Sequence, residues 1–190
     1  MRPKERRRWT DLAKFSGESG REDCQGGWQA WVGQHFSNIS ILDVGAGLGL
    51  SKSRLANNRN TVFLQDLAPG LTVDYAEDIS QIHANSFDVV TAFDVIEHIQ
   101  EDEAFLAHLY RIARQSVVLT TPNCNRSHCK NHFHRREYTP EEWVAFLSPY
   151  KVVNYLSSDH PYLEIDVLDR EAFLKHTKRG QGAIVDVASG

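Results

Sequence analysis

The sequence has few cysteines, no long apolar run and no excess of positive charge, and each absence excludes a class of protein. Three cysteines, Cys24, Cys124 and Cys129, are too few and too odd in number for a disulfide framework, which agrees with a reducing compartment. No apolar stretch approaches the ~18 residues needed to span a bilayer, and the N-terminus lacks the apolar middle of a signal peptide. We therefore expect a soluble, cytoplasmic protein.

The charge distribution separates a short N-terminal segment from the rest of the chain. The formal net charge of −4 gives no overall basic bias toward nucleic acid, although residues 2–8 hold five cations. Residues 1–27 are polar and show no sustained period, which predicts a flexible arm; a phosphate- or membrane-contacting arm is the alternative. The remaining residues, 28–190, suit a single domain with a sizeable core, in a chain that is 41% hydrophobic.

A strand followed by a glycine-rich turn is the most informative pattern in the sequence. An apolar run at residues 39–44 leads into Gly45, Gly47 and Gly49, which allow a tight turn and a close approach of a ligand to the backbone. A dinucleotide fingerprint requires glycine at the first, third and sixth positions, and the sixth position is Leu50. The carboxylate of Asp43 would also repel a pyrophosphate and favour a cationic or polar ligand.

The pattern Asp43-x-Gly45-x-Gly47-x-Gly49 resembles that of the class I S-adenosylmethionine-dependent methyltransferases. Two later blocks strengthen the resemblance: Asp-Val-Ile-Glu-His at residues 94–98, and His-x-Arg-Glu-Tyr-Thr-x-x-Glu at residues 134–142. Both are similar to the small-molecule and glycan branch of these enzymes. The resemblance implies S-adenosylmethionine as cofactor and S-adenosylhomocysteine as product. It also implies the Rossmann-like methyltransferase fold, an α/β three-layer sandwich whose seven-stranded sheet is mostly parallel with an antiparallel last strand.

Periodicity and turn residues give the expected elements. Apolar residues at Trp28, Trp31, Val32 and Phe36 predict a helix that packs on the sheet. Further helices are expected at 50–56, at 102–114 and after Thr139, which is a predicted N-cap followed by proline. The predicted strands are residues 39–44, 61–65, 71–79, 87–93, 116–121, 151–156 and 162–168, the last two as an antiparallel edge pair, whereas residues 175–190 show no clear pattern.

Acidic residues after successive strands are the predicted cofactor ligands. Asp66 ends the second strand, where a carboxylate accepts hydrogen bonds from ribose hydroxyls; capping the turn before Pro69 is the alternative. The resemblance implies that Asp78 takes the adenine amino group and that Ile79 packs on the ring, with Asp74 or Glu77 as substitutes for Asp78. The predicted cofactor contacts are Asp43, Gly45, Ala46, Gly47, Asp66, Leu67, Asp78, Ile79 and Phe93.

Two histidines are the candidate catalytic residues. Methyl transfer from a sulfonium requires mainly alignment, because the leaving group departs as a neutral thioether. A hydroxyl acceptor must also lose a proton, which a histidine accepts readily at neutral pH. His98 follows the fourth predicted strand and His134 lies in the loop after the fifth, over the same edge of the sheet; a structural role for His98 is the alternative. The predicted substrate contacts are Asn123, Arg136 and Tyr138.

A cluster of cysteines and histidines in the same loop raises the question of zinc. It contains Cys124, His128, Cys129, His132 and His134. The Cys-x4-Cys spacing with interleaved histidines fits no ordinary structural zinc site, so the sequence assigns no metal ligand.

The function predicted from these patterns is methylation of a small-molecule acceptor, on a hydroxyl of a sugar or natural product. A module that binds the cofactor without transferring the methyl group is one alternative. A nucleic-acid methyltransferase is another, supported only by the basic arm, since the Asn-Pro-Pro-aromatic block of adenine methyltransferases is absent after the fourth strand.

Overall fold

The structure is a computed structural model that describes residues 22–124, 133–157 and 180–187. The predicted arm at residues 1–21 therefore lies outside the described residues. The helices are α1 (Glu22–His35), α2 (Lys52–Leu55), α3 (Asp102–Ile112) and α4 (Pro140–Leu147). The strands are β1 (Ser40–Val44), β2 (Thr61–Gln65), β3 (Phe87–Phe93), β4 (Ala113–Pro122), β5 (Val152–Ser157) and β6 (Gly180–Asp186). Short 3₁₀ turns lie at Asn57–Arg59, Ile79–Gln81 and Ile96–His98.

The strands form one mixed sheet in the order β2-β1-β3-β4-β6-β5. The pairs β1–β2, β1–β3 and β3–β4 are parallel, whereas β6 is antiparallel to both of its neighbours. The prediction of a mostly parallel sheet with an antiparallel last strand is confirmed. The predicted count of seven is corrected to six strands within the described ranges.

The missing strand is the one predicted at residues 71–79, beside the outer edge of β2. Only an isolated bridge between Gln65 and Tyr75 forms there. The Asp74 carboxylate accepts the Leu64 N–H at 2.8 Å, and the Asp74 and Tyr75 amides both donate to the Leu64 carbonyl at 3.0 Å. Because the Asp74 side chain occupies a backbone donor that a ladder would use, the segment forms a single bridge with β2 instead of a strand.

The edge pair of the sheet also differs from the prediction in its second member. The strand expected at residues 151–156 is β5, but its partner is β6, and residues 162–168 lie outside the described residues. Glycines weaken the strand signal of β6. A Cβ at Gly182 would lie 2.8 Å from Trp28 Cη2 and 2.9 Å from the Leu119 carbonyl oxygen, so glycine is required for the close packing of α1 on the sheet.

Side chains alternate between the two faces of the sheet, and helices cover both faces. Leu42 and Val90 pack with Leu109 of α3 and Trp143 of α4 on one face. Ile41 and Val89 pack with Trp28 and Val32 of α1 and with Leu55 of α2 on the other. This arrangement is the predicted three-layer sandwich, with the sheet in the middle.

The predictions of helices α1 and α4 are confirmed, with one change of boundary. Helix α1 packs through Trp28 and Val32 as predicted, but it begins at Glu22, so residues 22–27 are helical rather than part of an arm. Helix α4 begins as predicted, since Thr139 Oγ1 accepts from the Glu142 amide at 3.2 Å and the Glu142 carboxylate accepts from the Thr139 amide at 2.9 Å. Within the described ranges, every helix is too short or too polar to cross a membrane.

Candidate active site at the carboxyl ends of the strands

The predicted site residues converge on one edge of the sheet, where β1, β2, β3 and β4 all end. Strand β2 lies on one side of β1 and β3 on the other, so the chain reverses its direction of winding between β1 and β3. Doubly wound sheets bind ligands in the crevice at this point, outside the carboxyl ends of the strands. The glycine turn follows β1 directly and therefore lies at the crevice.

Two glycines of the turn have different roles. Gly45 has φ +69°, and a Cβ there would lie 2.6 Å from Val95 Cγ2, so glycine lets the turn pass against the segment that follows β3. Gly47 also has a positive φ, +55°, but no heavy atom lies within 4 Å of its Cβ position. The space over Gly47 is therefore open to a ligand, while the Ala46 amide is held by the Gln65 carbonyl at 3.0 Å.

Asp66 joins the end of β2 to the glycine turn. Its carboxylate is 6% exposed and accepts the Gly47 amide at 2.9 Å and the Ala68 amide at 2.8 Å. The contact with Ala68 is the turn-capping role considered as the alternative. An ionised carboxylate offers about four acceptor positions, so these two bonds leave capacity for ribose hydroxyls. The neighbouring Leu67 side chain is half exposed.

Asp43 is buried behind the turn and fixes the start of α2 against β3. One of its oxygens accepts from the Ser51 hydroxyl and the other accepts from Thr91 Oγ1 at 2.7 Å. Burial raises the pKa of Asp43 to about 6; the two hydroxyl bonds oppose the rise, and the nearby Asp66 carboxylate adds to it. The structure thus gives Asp43 a positioning role, and its contact with the cofactor stays a prediction.

Three of the predicted cofactor contacts, Asp78, Ile79 and Phe93, either cap a turn of the chain or are buried in the core. Asp78 is exposed and caps the 3₁₀ turn at Ile79–Gln81 by accepting the Ser80 amide at 2.9 Å, a bond that lowers the pKa of Asp78. Ile79 and Phe93 are 7% and 6% exposed and belong to the two core clusters on opposite faces of the sheet. Their cofactor contacts stay predictions.

The residues predicted to contact substrate hold the loop before α4 in place. Tyr138 is fully buried, bridges to the buried Asn123 and donates its hydroxyl to Asp102 Oδ2 at 2.5 Å. Burial, and then the Asp102 carboxylate, raise the pKa of Tyr138. The Arg136 guanidinium lies 3.1 Å from Asp102 and 4.6 Å from the centroid of the Tyr138 ring. These contacts position the loop, and substrate contacts of Asn123, Arg136 and Tyr138 stay predictions.

The structure brings the two candidate catalytic histidines together. The ring centroids of His98 and His134 are 4.8 Å apart with an interplanar angle of 78°. His98 Nδ1 lies 3.1 Å from the Phe133 carbonyl oxygen, and His134 Nδ1 lies 2.6 Å from Glu137 Oε1. Because a carbonyl and a carboxylate oxygen only accept, both Nδ1 atoms carry the proton. In a neutral ring the lone pair is then on Nε2.

Glu97 is the site residue that the sequence interpretation missed. It is 1% exposed, its Oε1 lies 3.9 Å from His98 Nε2, and its Oε2 accepts from Thr121 Oγ1 at 3.3 Å. Glu97, His98 and His134 each bring a potential metal-ligand atom, and these atoms lie within 4.8 Å of one another. The signal was the block at residues 94–98, where a second acidic residue directly precedes a candidate base.

A distorted residue at the end of β3 turns the chain toward this cluster. Asp94 has φ +53°, which is unfavourable for a residue other than glycine by about 1–3 kcal/mol. Thr120 on β4 holds it in place, since its hydroxyl donates to Asp94 Oδ1 at 2.9 Å and accepts from the Asp94 amide at 3.0 Å. The strain places Val95 against Gly45 and starts the turn that carries Glu97 and His98.

Of the cysteine and histidine cluster considered for zinc, the structure describes Cys124 and His134. Cys124 is disulfide-bonded, and a disulfide sulfur is not the thiolate that binds zinc. This bond also disagrees with the expectation of reduced cysteines, because three cysteines exclude a framework of bridges but leave room for one. His128, Cys129 and His132 lie outside the described residues, whereas His134 joins Glu97 and His98.

Comparison with known proteins shows which proteins this chain is similar to. A family model described as "Methyltransferase domain" matches residues 42–120, which run from β1 through the glycine turn to β4. The ubiquinone biosynthesis O-methyltransferase of Hahella chejuensis is 27% identical, and the match covers 77% of this chain and 73% of that protein. The chain spans 44–46% of the length of seven other ubiquinone biosynthesis O-methyltransferases that it matches.

Solved structures show the same fold around a bound cofactor product. The 1,6-didemethyltoxoflavin-N1-methyltransferase of Burkholderia thailandensis, solved with S-adenosylhomocysteine, superposes with a TM-score of 0.60 at 17% identity over 98% of this chain and 90% of that one. Residues 42–120 thus match a methyltransferase domain, and the chain shares the fold of S-adenosylmethionine-dependent methyltransferases. A methyltransferase from Aquifex aeolicus superposes with a TM-score of 0.62 at 13% identity, over 94% and 98% of the two chains.

The buried Asp43 predicts that the folded protein loses stability as pH rises. The ordinary pKa of 3.8 applies to the unfolded chain, which therefore releases this proton before the folded chain does. As pH rises from about 3.8 to about 6, the free energy of unfolding should fall by about 3 kcal/mol. Above this range it should stay level. The Asp43→Asn variant cannot ionise and should lose this fall in urea titrations at pH 4 to 7. Asp88→Asn, at the opposite end of β1, should keep it; a fall that persists in Asp43→Asn would show that other groups cause it.

The open space over Gly47 predicts a selective loss of cofactor affinity. Gly47 and Gly70 both have positive φ, and no heavy atom lies within 4 Å of either Cβ position, so alanine costs a similar backbone strain at each. Gly47→Ala should weaken S-adenosylhomocysteine binding by about tenfold or more, because a methyl group would enter the ligand's space and 1.4 kcal/mol already gives that factor. Calorimetry on Gly70→Ala should show unchanged affinity. Equal affinities for the two variants would remove the turn from the site.

Proposed function

We propose that this protein is a methyltransferase that transfers the methyl group of S-adenosylmethionine to a hydroxyl oxygen of a small molecule. The observation that carries the proposal is the pair of histidines, each with Nδ1 bonded to an oxygen acceptor, at the same edge of the sheet as the open glycine turn. A neutral histidine in this tautomer presents a proton acceptor at Nε2, which transfer to oxygen requires.

The reaction is a displacement at the methyl carbon. A lone pair of the acceptor oxygen forms the new O–C bond while the C–S bond breaks, and sulfur keeps the electron pair as a neutral thioether. The acceptor proton passes to Nε2 of His98 or His134. Because the leaving group needs no acid, the chain's contribution is to align the acceptor with the methyl carbon, exclude water and receive the proton.

The buried carboxylates near the histidines support the proton transfer. Glu137 Oε1 is 2.6 Å from His134 Nδ1 and compensates the positive charge that the ring acquires on accepting a proton. Glu97 Oε1 is 3.9 Å from His98 Nε2. The two carboxylates also fix the ring orientations, which is the alignment that the displacement needs.

Named relatives support a small acceptor. The Hahella chejuensis relative is an O-methyltransferase of ubiquinone biosynthesis, and the Burkholderia thailandensis structure contains the small heterocycle 1,6-didemethyltoxoflavin. In this chain, Phe133 precedes His134, and its side chain is 48% exposed. An aromatic side chain at that position would pack against a planar acceptor, so phenols and catechols are the first acceptors to test.

The test is product formation with methyl-labelled S-adenosylmethionine and a panel of phenols, catechols and sugars, analysed by mass spectrometry. We expect an O-methylated product from at least one member. His98→Ala or His134→Ala should lower turnover by about 10²–10⁴-fold because the proton acceptor is lost. Affinity for S-adenosylhomocysteine should be unchanged in both, and His83→Ala, an exposed histidine outside the cluster, should retain full turnover.

Other outcomes would replace the proposal with one of its alternatives. Binding of the cofactor without product from any acceptor would favour a module that does not transfer the methyl group. Label found on RNA or DNA, with binding that weakens strongly as salt is raised, would favour a nucleic-acid substrate. Full turnover in both histidine variants would remove them from the mechanism.

A further inference from the structure

We propose that Glu97, His98 and His134 form a binding site for one divalent transition-metal ion of the zinc type. Their potential ligand atoms lie within 4.8 Å of one another. Two imidazole nitrogens and one carboxylate oxygen are the protein ligands of many zinc sites that keep a further position for water or substrate. The proposal goes beyond methyl transfer, because the ion would bind whether or not the acceptor is the one we propose.

The hydrogen bonds of the two rings prepare them for this role. Both Nδ1 atoms donate to an oxygen acceptor, His98 to the Phe133 carbonyl and His134 to the Glu137 carboxylate. Ligating histidines in metal sites nearly always donate their second ring nitrogen in this way, which fixes the tautomer and leaves the other nitrogen to ligate. The same kind of contact, Nδ1 with an oxygen acceptor, orients both rings, whose centroids lie 4.8 Å apart.

The charges and distances fit a small dication. The carboxylates of Glu97 and Glu137 together carry two negative charges beside two rings that are neutral when they ligate, so one divalent ion balances the group. Ligand atoms around a tetrahedral ion with metal–nitrogen bonds of about 2.0–2.1 Å lie roughly 3.3 Å apart. The Glu97–His98 distance of 3.9 Å is close to this value, and the widest separation requires a contraction of roughly 1.5 Å.

The ligands come from two separate parts of the chain that the fold already holds together. Glu97 and His98 lie in the 3₁₀ turn after β3, and His134 lies in the loop before α4. The Arg135 amide donates to the Glu97 carbonyl at 2.6 Å, so the loop contacts the turn through its backbone as well. An ion at this position would fasten the loop to the sheet edge next to the glycine turn.

The ion would also act on the acceptor, and this part of the inference rests on the proposed function. A hydroxyl oxygen bound to a divalent ion loses its proton more readily, which would make the ion the activating group and the histidines its ligands. Failure of metal binding would leave the histidines as proton acceptors, whereas failure of methyl transfer would leave the metal site intact.

The experiment uses the full chain, stripped of metal with a chelator and titrated with Co²⁺ as a spectroscopic probe and with Zn²⁺ as its competitor. We expect one equivalent of Co²⁺, visible d–d absorption without thiolate-to-cobalt charge transfer, and displacement by Zn²⁺. Nitrogen-15 spectra of the histidine rings in the wild-type chain should show Zn²⁺-dependent shifts of Nε2 in two rings. That measurement needs no variant and so remains informative if a variant fails to fold.

Matched variants assign the ligands. His98→Ala, His134→Ala and Glu97→Gln should each weaken Co²⁺ binding by at least a hundredfold, and Glu137→Ala, a positioning residue, by about 10–100-fold. His83→Ala should bind Co²⁺ as the wild type does. Affinity for S-adenosylhomocysteine, measured alongside, should be unchanged and reports that each variant is folded.

Three results would overturn the proposal. The first is less than one equivalent of Co²⁺ or Zn²⁺ bound by the wild-type chain at saturation. The second is binding that persists in folded His98→Ala and Glu97→Gln. The third is a thiolate charge-transfer band, which would assign the metal to a cysteine rather than to this cluster.

Discussion

The geometry of the glycine turn depends on the hydrogen bonds that the Asp66 carboxylate accepts. It accepts the Gly47 and Ala68 amides at 2.9 and 2.8 Å from a position that is 6% exposed. A buried carboxylate is tolerated only where hydrogen bonds replace its hydration. The two amides therefore stabilise the buried Asp66, and Asp66 in turn holds the two amides in place. The glycine turn is thereby tied to the end of β2, and the open space over Gly47 is fixed in relation to a carboxylate with remaining acceptor capacity.

One short segment couples that turn to the acceptor side. The strained Asp94 is held by Thr120, and the next residue, Val95, occupies the space that a side chain at Gly45 would need. Glu97 and His98 follow within the same 3₁₀ turn. The positions of Glu97 and His98 relative to the glycine turn are therefore set by backbone geometry over a few residues.

Local patterns in the sequence predicted the parts of the fold that depend on local physics. The strand before Gly45, the helix around Trp28 and the capped helix after Thr139 all follow from apolar spacing, glycine conformation and capping. The strand predicted at residues 71–79 does not form because the Asp74 side chain takes a backbone donor of β2, which no periodicity reveals. Strand β6 escaped detection because glycine at 182, required by packing, weakens the signal of a strand.

The sequence predicted several residues of the site, but it did not predict the contacts between them. His98 and His134 were selected separately as proton acceptors, but their proximity depends on how the loop before α4 returns to the sheet edge. Glu97 was overlooked because a buried carboxylate acquires a role only through its three-dimensional neighbours. Sequence position alone could not distinguish a cofactor contact of Asp43 from its observed role in holding the turn.

We propose that the cofactor lies over Gly47 with its ribose held by Asp66. The most direct measurement is a crystal structure of the chain with S-adenosylhomocysteine bound. The account predicts ribose hydroxyls within hydrogen-bond distance of the Asp66 carboxylate and ligand atoms in contact with the Gly47 backbone. A ligand bound elsewhere, or an Asp66 carboxylate that still contacts only the Gly47 and Ala68 amides in the complex, would contradict it.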